Sequence, residues 1–228
     1  MATDHIAVRS ALEGVANVHR PTTNCGPTIS GLELLDGWLT EHGERPWDVI
    51  HYQFGLHDLK RMEGGDHQVP PAEYAANLRT ITHALAKTGA ALIWCSTTPV
   101  PDVPMDAMSP PRLVSDVLLF NAAAFEAVNA STAVGGVAVH DLYSYLLRIH
   151  CAMRQKIQHF TNYIWLHYVL KQSICSTVFW SILFINLHVA RPGVGTRCLR
   201  WIPFSGRIMS ISPLWAQRTL ARVLWSMY

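Results

Sequence analysis

The stretch Trp47-Asp48-Val49-Ile50-His51-Tyr52-Gln53-Phe54-Gly55-Leu56-His57-Asp58-Leu59-Lys60 decides how the rest of the chain is read. Its first half alternates and carries β-branched and aromatic residues, the composition of a strand. Gly55 then breaks the run, and a polar pair, His57-Asp58, falls just past the expected carboxyl end. In open α/β sheets ligands bind outside those ends. A glycine there lets the backbone turn sharply and come close to a ligand. A strand can also end this way for purely structural reasons, so the flanking segments carry the decision.

Upstream, residues 5–13 read as a short helix and residues 15–18 as a strand ending at His19-Arg20-Pro21. A loop containing Asn24-Cys25-Gly26-Pro27-Thr28 leads into a helix over residues 29–40, with Leu32, Leu35 and Leu39 at helical spacing. Downstream, Pro70-Pro71 opens a helix, since proline is tolerated in a first turn. Tyr74, Leu78, Ile81 and Leu85 give that helix one buried stripe, and Gly89 stands where a helix-ending glycine is expected. Residues 91–95 form a short apolar run that reads as a buried strand. Residues 96–110 are a proline-rich loop at the same sheet edge as His57. Residues 113–129 read as a helix with Val114, Val117, Leu118 and Phe125 apolar, and residues 137–141 as a last strand. Helix and strand alternate throughout, which predicts an α/β fold with a parallel, doubly wound sheet.

The charge pattern changes abruptly after this. All sixteen Asp and Glu lie between Asp4 and Asp141, beside eight basic residues, for a balance of −8. Residues 142–228 hold ten basic residues and no acidic ones, a balance of +10. Average composition makes acids roughly one residue in eight, so two kinds of sequence meet here. The expected organisation is an α/β domain over residues 1–145 and a basic, acid-free tail over 146–228. The tail is expected to have low order after about residue 150, irregular or helical, with at most isolated helices near residues 160–187. Residues 172–190 carry no Asp, Glu, Lys or Arg and are long enough to span a bilayer. Their Gln, Ser, Thr, Asn and His make the insertion signal weak. No nucleic-acid-binding motif is present. The five cysteines show no CxxC spacing and are odd in number, so neither a zinc site nor a disulfide framework follows. The histidines read as surface or core residues, His140 among them, and no metal or cofactor is expected. Residues 1–12 contain no apolar signal-peptide core, and compartment and oligomeric state stay open.

Two short motifs give the α/β part a family likeness. Gly26-Pro27-Thr28, followed by Gly31-Leu32, and Gly55-Leu56-His57-Asp58 resemble the second and third signature blocks of the SGNH (GDSL-like) hydrolases. Thr97-Thr98-Pro99-Val100-Pro101 is similar to a recurrent loop in bacterial members. The resemblance covers roughly residues 1–143. It implies a flavodoxin-like three-layer α/β/α fold whose first strand is missing from this chain, and hydrolysis of carboxylic esters, including acetyl esters on carbohydrate. It also implies that Gly26 and His57 donate to the oxyanion, His57 standing where the family has asparagine. Preorganised donors of that kind are often the largest catalytic contribution in acyl transfer. Asp58 would fix the His57 tautomer or stabilise the turn after it.

Two parts of the family's machinery do not appear. No Gly-Asp-Ser occurs, so the nucleophile is unidentified, and Ser10 reads as a solvent-facing helical residue. Asp48-Val49-Ile50-His51 spells the family's Asp-x-x-His, but strand residues three apart face opposite sides. His159 is the weak candidate for the base, with Lys156 where an aspartate belongs. The resulting expectation is an ester-hydrolase domain that is inactive as written, its partner a small-molecule or carbohydrate ester. The alternative is a non-catalytic binding protein, associated with a membrane through its tail if at all.

Overall fold

Val49–Tyr52 forms a strand in the computed structural model, which describes residues 4–43, 46–101, 110–130, 136–157 and 182–187. In chain order the elements are α1 (Asp4–Ala11), β1 (Ala16–His19), α2 (Thr28–Thr40), β2 (Val49–Tyr52) and α3 (Pro71–Ala86). They continue with β3 (Ala91–Cys95), α4 (Val114–Asn129), β4 (Val137–His140), α5 (Leu142–Ile157) and β5 (Ile182–Leu187). The strands make one sheet in the order β1-β5-β2-β3-β4. β2, β3 and β4 are parallel, with Tyr52 opposite Trp94 and Cys95 opposite His140. The protein is therefore an α/β fold around a three-strand parallel sheet, as the alternation predicts.

β5 is the departure. It runs antiparallel to both neighbours, placing Phe184 opposite His19 on one side and Ile50 on the other. β1 and β2 consequently point the same way but are separated by one strand. Where an irregular or at most helical tail is expected after residue 150, residues 182–187 are instead a strand; α5, continuing to Ile157, is helical, and the other tail residues lie outside the described ones. The physical reason lies in Ile182-Leu183-Phe184-Ile185-Asn186-Leu187, a short apolar run that suits a buried strand. Periodicity alone cannot separate such a run from a buried helix. No helix among the described residues is long and apolar enough to cross a membrane. Six of the residues 172–190 lie in the sheet.

Alternate residues of β2 and β3 feed two clusters, as a strand's two-residue period requires. Ile50, Tyr52, Leu92 and Trp94 meet Leu35 and Trp38 of α2, the Tyr74-Leu78-Ile81-Leu85 stripe of α3, and Phe120 of α4. Val49, Ala91 and Ile93 meet Val8, Leu12 and Val18. The α3 stripe is fully buried, as its spacing predicts. On α2 the buried face is Thr28, Gly31, Leu35 and Trp38, while Leu32 is exposed. Gly31 faces Phe54 and Ile81 so closely that a Cβ would lie 2.8 Å from the ring and 2.9 Å from the methyl. On α4, Val117 is buried, but Leu118 and Phe125 point outward, with Phe120 and Ala124 inward instead.

Candidate functional site

β1 and β2 both end at the same edge of the sheet, and the loops that follow them are joined through Asp58. Its Oδ1 accepts from the Thr28 backbone N–H at 2.8 Å and from the Thr28 hydroxyl at 2.5 Å. Thr28 opens α2, so its N–H is one that no earlier turn can satisfy, and Asp58 supplies the acceptor from another loop. Asn77 of α3 donates to the Thr28 hydroxyl oxygen at 3.2 Å. Asp58 is fully buried, and its Oδ2 has no hydrogen-bond partner among the described residues. Burial pushes its carboxyl above the ordinary range, and hydrogen bonds from Thr28 and from the backbone of Asp58 and Gly55 pull it only part of the way back.

Gly55, three residues before Asp58, has φ +142, a region that L side chains rarely adopt. A Cβ there would collide with the Thr97 hydroxyl. That hydroxyl donates to the Phe54 carbonyl at 3.1 Å, and the Tyr74 hydroxyl donates to the same oxygen at 2.9 Å. Asn121 closes the frame by accepting from Thr97 N at 2.8 Å and donating to Thr97 O at 2.9 Å. The residues after β2 and after β3 are thus held together by side-chain bonds to backbone carbonyls, Thr97 to Phe54 and Gln53 to Ser96, and the first of these needs the space that glycine at 55 leaves.

His57 is half-buried on this loop. Burial, with smaller contributions from the charges of Lys60 and Arg112, pulls its pKa down to about 4. The ring is therefore neutral at pH 7 and can offer one N–H without carrying charge. Gly26 has φ +65 and is also half-exposed. Its N–H donates to the Asn24 side-chain oxygen at 3.1 Å, an Asx turn of the kind asparagine forms locally. The donor assigned to the oxyanion is thus already engaged in this conformation.

Ser10 is exposed on α1. It lines a groove of about 490 Å³ along α1 and β1 that includes neither Gly26 nor His57. Asp48 is exposed just ahead of β2, while His51 lies within it. His159 lies outside the described residues.

Two clusters escaped the sequence reading. Arg61 makes two bonds to Asp116, at 2.8 and 2.6 Å, and His67 Nε2 lies 3.1 Å from the same carboxylate. They hold the loop after β2 against α4, an arrangement invisible in sequence because the partners are far apart in it. The second is His51 of β2, Cys95 of β3 and His140 of β4, whose donor atoms all lie within 4.8 Å of one another. Motif spacing cannot find such a set. Only the parallel register of three separate strands brings it together.

These observations define an α/β protein with a polar, hydrogen-bonded frame at the carboxyl edge of its sheet. No family model, curated protein or solved structure matches the chain.

Proposed function

We propose that this chain is an SGNH-type ester-hydrolase domain that holds a carboxylic ester at Gly26 and His57 but does not turn it over as written. The reading takes residues 1–145 as a flavodoxin-like three-layer domain, with residues 146–228 as a basic appendage. The observation that carries it is the pair of hydrogen bonds that Thr28 donates to Asp58. It ties the loop bearing Gly26 to the loop bearing His57, as two donors to one oxyanion require. The neutral His57 ring suits a donor that must polarise a carbonyl without giving up a full proton. Two features count against turnover: the sequence has no Gly-Asp-Ser, and the Gly26 N–H is engaged by Asn24. Binding an oxyanion-like group would require that Asx turn to open.

The test uses the full chain with a serine-directed fluorophosphonate, p-nitrophenyl acetate and a short alkyl phosphonate as a tetrahedral mimic. The expected results are no labelled serine and no turnover above background. Phosphonate binding should shift the His57 ring signals in NMR, be lost in His57→Ala and be kept in His57→Asn. A labelled serine with matching turnover overturns the inactive reading. Absence of any phosphonate shift overturns the site.

A further inference from the structure

We propose that His51, Cys95 and His140 form a binding site for a single zinc ion inside the sheet. Each residue comes from a different strand of the parallel unit. Cys95 stands opposite His140, and His51 stands opposite Ile93, two residues back along β3. Residues two apart on a strand share a face, so Ile93 and Cys95 lie on one side, with Ala138 and His140 beside them. This is the side of the Val49-Ala91-Ile93 cluster. Cys95 and His140 are 1% and 4% exposed, and His51 is partly buried.

The geometry is close to a ligand set. His51 Nε2 and His140 Nδ1 are 3.1 Å apart, and all three donor atoms fall within 4.8 Å. Zn–N bonds of about 2.0–2.1 Å at tetrahedral angles put two nitrogens about 3.3–3.4 Å apart, and Zn–S of about 2.3 Å puts sulfur slightly farther. The two rings therefore need to open by only a few tenths of an ångström. The widest pair has to close by roughly an ångström, a movement within reach of rotation about the Cys95 side chain. The Cys95 Sγ makes a weak contact, 3.6 Å to the Ser96 carbonyl, and also meets the Leu142 backbone N–H, a bond that a metal-bound thiolate can keep.

The donor chemistry fits zinc. Two imidazoles and a thiolate are ligands it takes readily, and three protein ligands leave one position for water or another group. On binding, the Cys95 S–H bond breaks as S–Zn forms and one proton leaves to solvent. Of the two nitrogens that face each other, His51 Nε2 and His140 Nδ1, one carries the proton of their hydrogen bond; that proton moves to the far nitrogen of its own ring, and the other ring keeps its tautomer, with no net proton change on the imidazoles. This site shares no residue with the ester reading and stands or falls independently of it.

The test is made on the full chain. Zinc titration should give one ion per chain, and X-ray absorption at the zinc edge should show a first shell of two nitrogens and one sulfur plus one lighter atom. Cobalt(II) in place of zinc should give a thiolate-to-cobalt charge-transfer band in the near ultraviolet. Cys95→Ser should abolish that band and weaken zinc binding by roughly a hundredfold or more, beyond the usual effect of outer-shell changes. Cys151→Ser should change neither. A zinc shell without sulfur, a folded wild-type chain with no cobalt band, or a band surviving Cys95→Ser overturns the proposal. The absorption measurement on wild type decides even where the serine variant does not fold.

Discussion

Thr28 gives both its backbone N–H and its hydroxyl to a single oxygen of Asp58, at 2.8 and 2.5 Å, across two loops. The bond does two jobs. It caps the start of α2 from outside the helix, and it fixes the distance between the loops that carry Gly26 and His57. Asp58→Ala strands two buried donors, each costing about 1–3 kcal/mol when left unmade, so the loss expected is roughly 2–6 kcal/mol. Asp58→Asn keeps an acceptor oxygen and drops the buried charge, so its cost should stay below about 1 kcal/mol. Urea unfolding of both variants checks this. Equal losses would mean that the charge, and not the acceptor, matters.

Asp58 and Asp116 should pull stability in opposite directions with pH. Burial raises the Asp58 pKa above its ordinary value, which is about 3.9. Its contribution is therefore full below that pH and is lost as pH rises through the raised folded value. At Asp116 burial also pushes upward, but the hydrogen bonds and charges of Arg61 and His67 outweigh it and leave the carboxyl below the ordinary range. Its contribution is present above about pH 3.9 and is lost as pH falls through the lowered folded value. Urea midpoints between pH 2 and pH 7 should show Asp116→Asn flattening the acid limb and Asp58→Asn removing the decline above it. If either variant parallels wild type throughout, the corresponding carboxyl is not shifted.

How much of this was legible follows from the range over which each interaction acts. The Tyr74-Leu78-Ile81-Leu85 stripe and the apolar run 91–95 are local patterns, and both become the expected helix and strand. Gly55 and the His57-Asp58 pair could be singled out because ligands of open α/β sheets sit past strand ends, where a glycine allows close approach. What they do there depends on Thr97 and Thr28, which no local pattern pairs with them. The Leu118 and Phe125 of α4 show the limit of counting apolar residues. The same helix offers a smaller inward face through Val117, Phe120 and Ala124, and α3 fits against that one. The cluster His51-Cys95-His140 and strand β5 were out of reach because both exist only through sheet register.

Gly55→Ala should be severely destabilising. At φ +142 a Cβ is strained in itself and would also collide with the Thr97 hydroxyl. Strain of that kind costs about 1–3 kcal/mol, and overpacking adds about another 1–3 kcal/mol. Adding Thr97→Ala removes the collision but not the strain, so the double variant should regain part of the loss. Thermal unfolding of the single and double variants measures the two shares. A Gly55→Ala protein as stable as wild type would show that the loop after β2 relaxes freely, and that the frame is not fixed by this glycine.

β5 makes the sharpest prediction about the acid-free part of the chain. Among the described residues it is what links β1 to the parallel strands in the sheet, because β1 pairs with β5 and β5 with β2. A strand with neighbours on both sides uses its backbone groups on both edges, so none can be lost cheaply. Phe184 stands opposite Ile50 inside the ladder with β2 and opposite His19 at the end of the ladder with β1. Phe184→Pro removes a ladder N–H and forces a ring into an interior strand, where proline is essentially never found; the expected cost is about 3 kcal/mol or more. Phe184→Val keeps the N–H and a β-forming residue, so the difference between the two variants isolates the backbone share. Amide hydrogen exchange reads the same ladder without mutation. Amides of residues 182–187 should open with a free energy close to that of β2 and above that of loop residues. In Phe184→Pro, protection should fall at residues 16–19 as well, since β1 then has no partner strand. Exchange of residues 182–187 at unfolded-chain rates, or a proline variant as stable as the valine one, would remove β5 from the sheet and leave β1 unpaired.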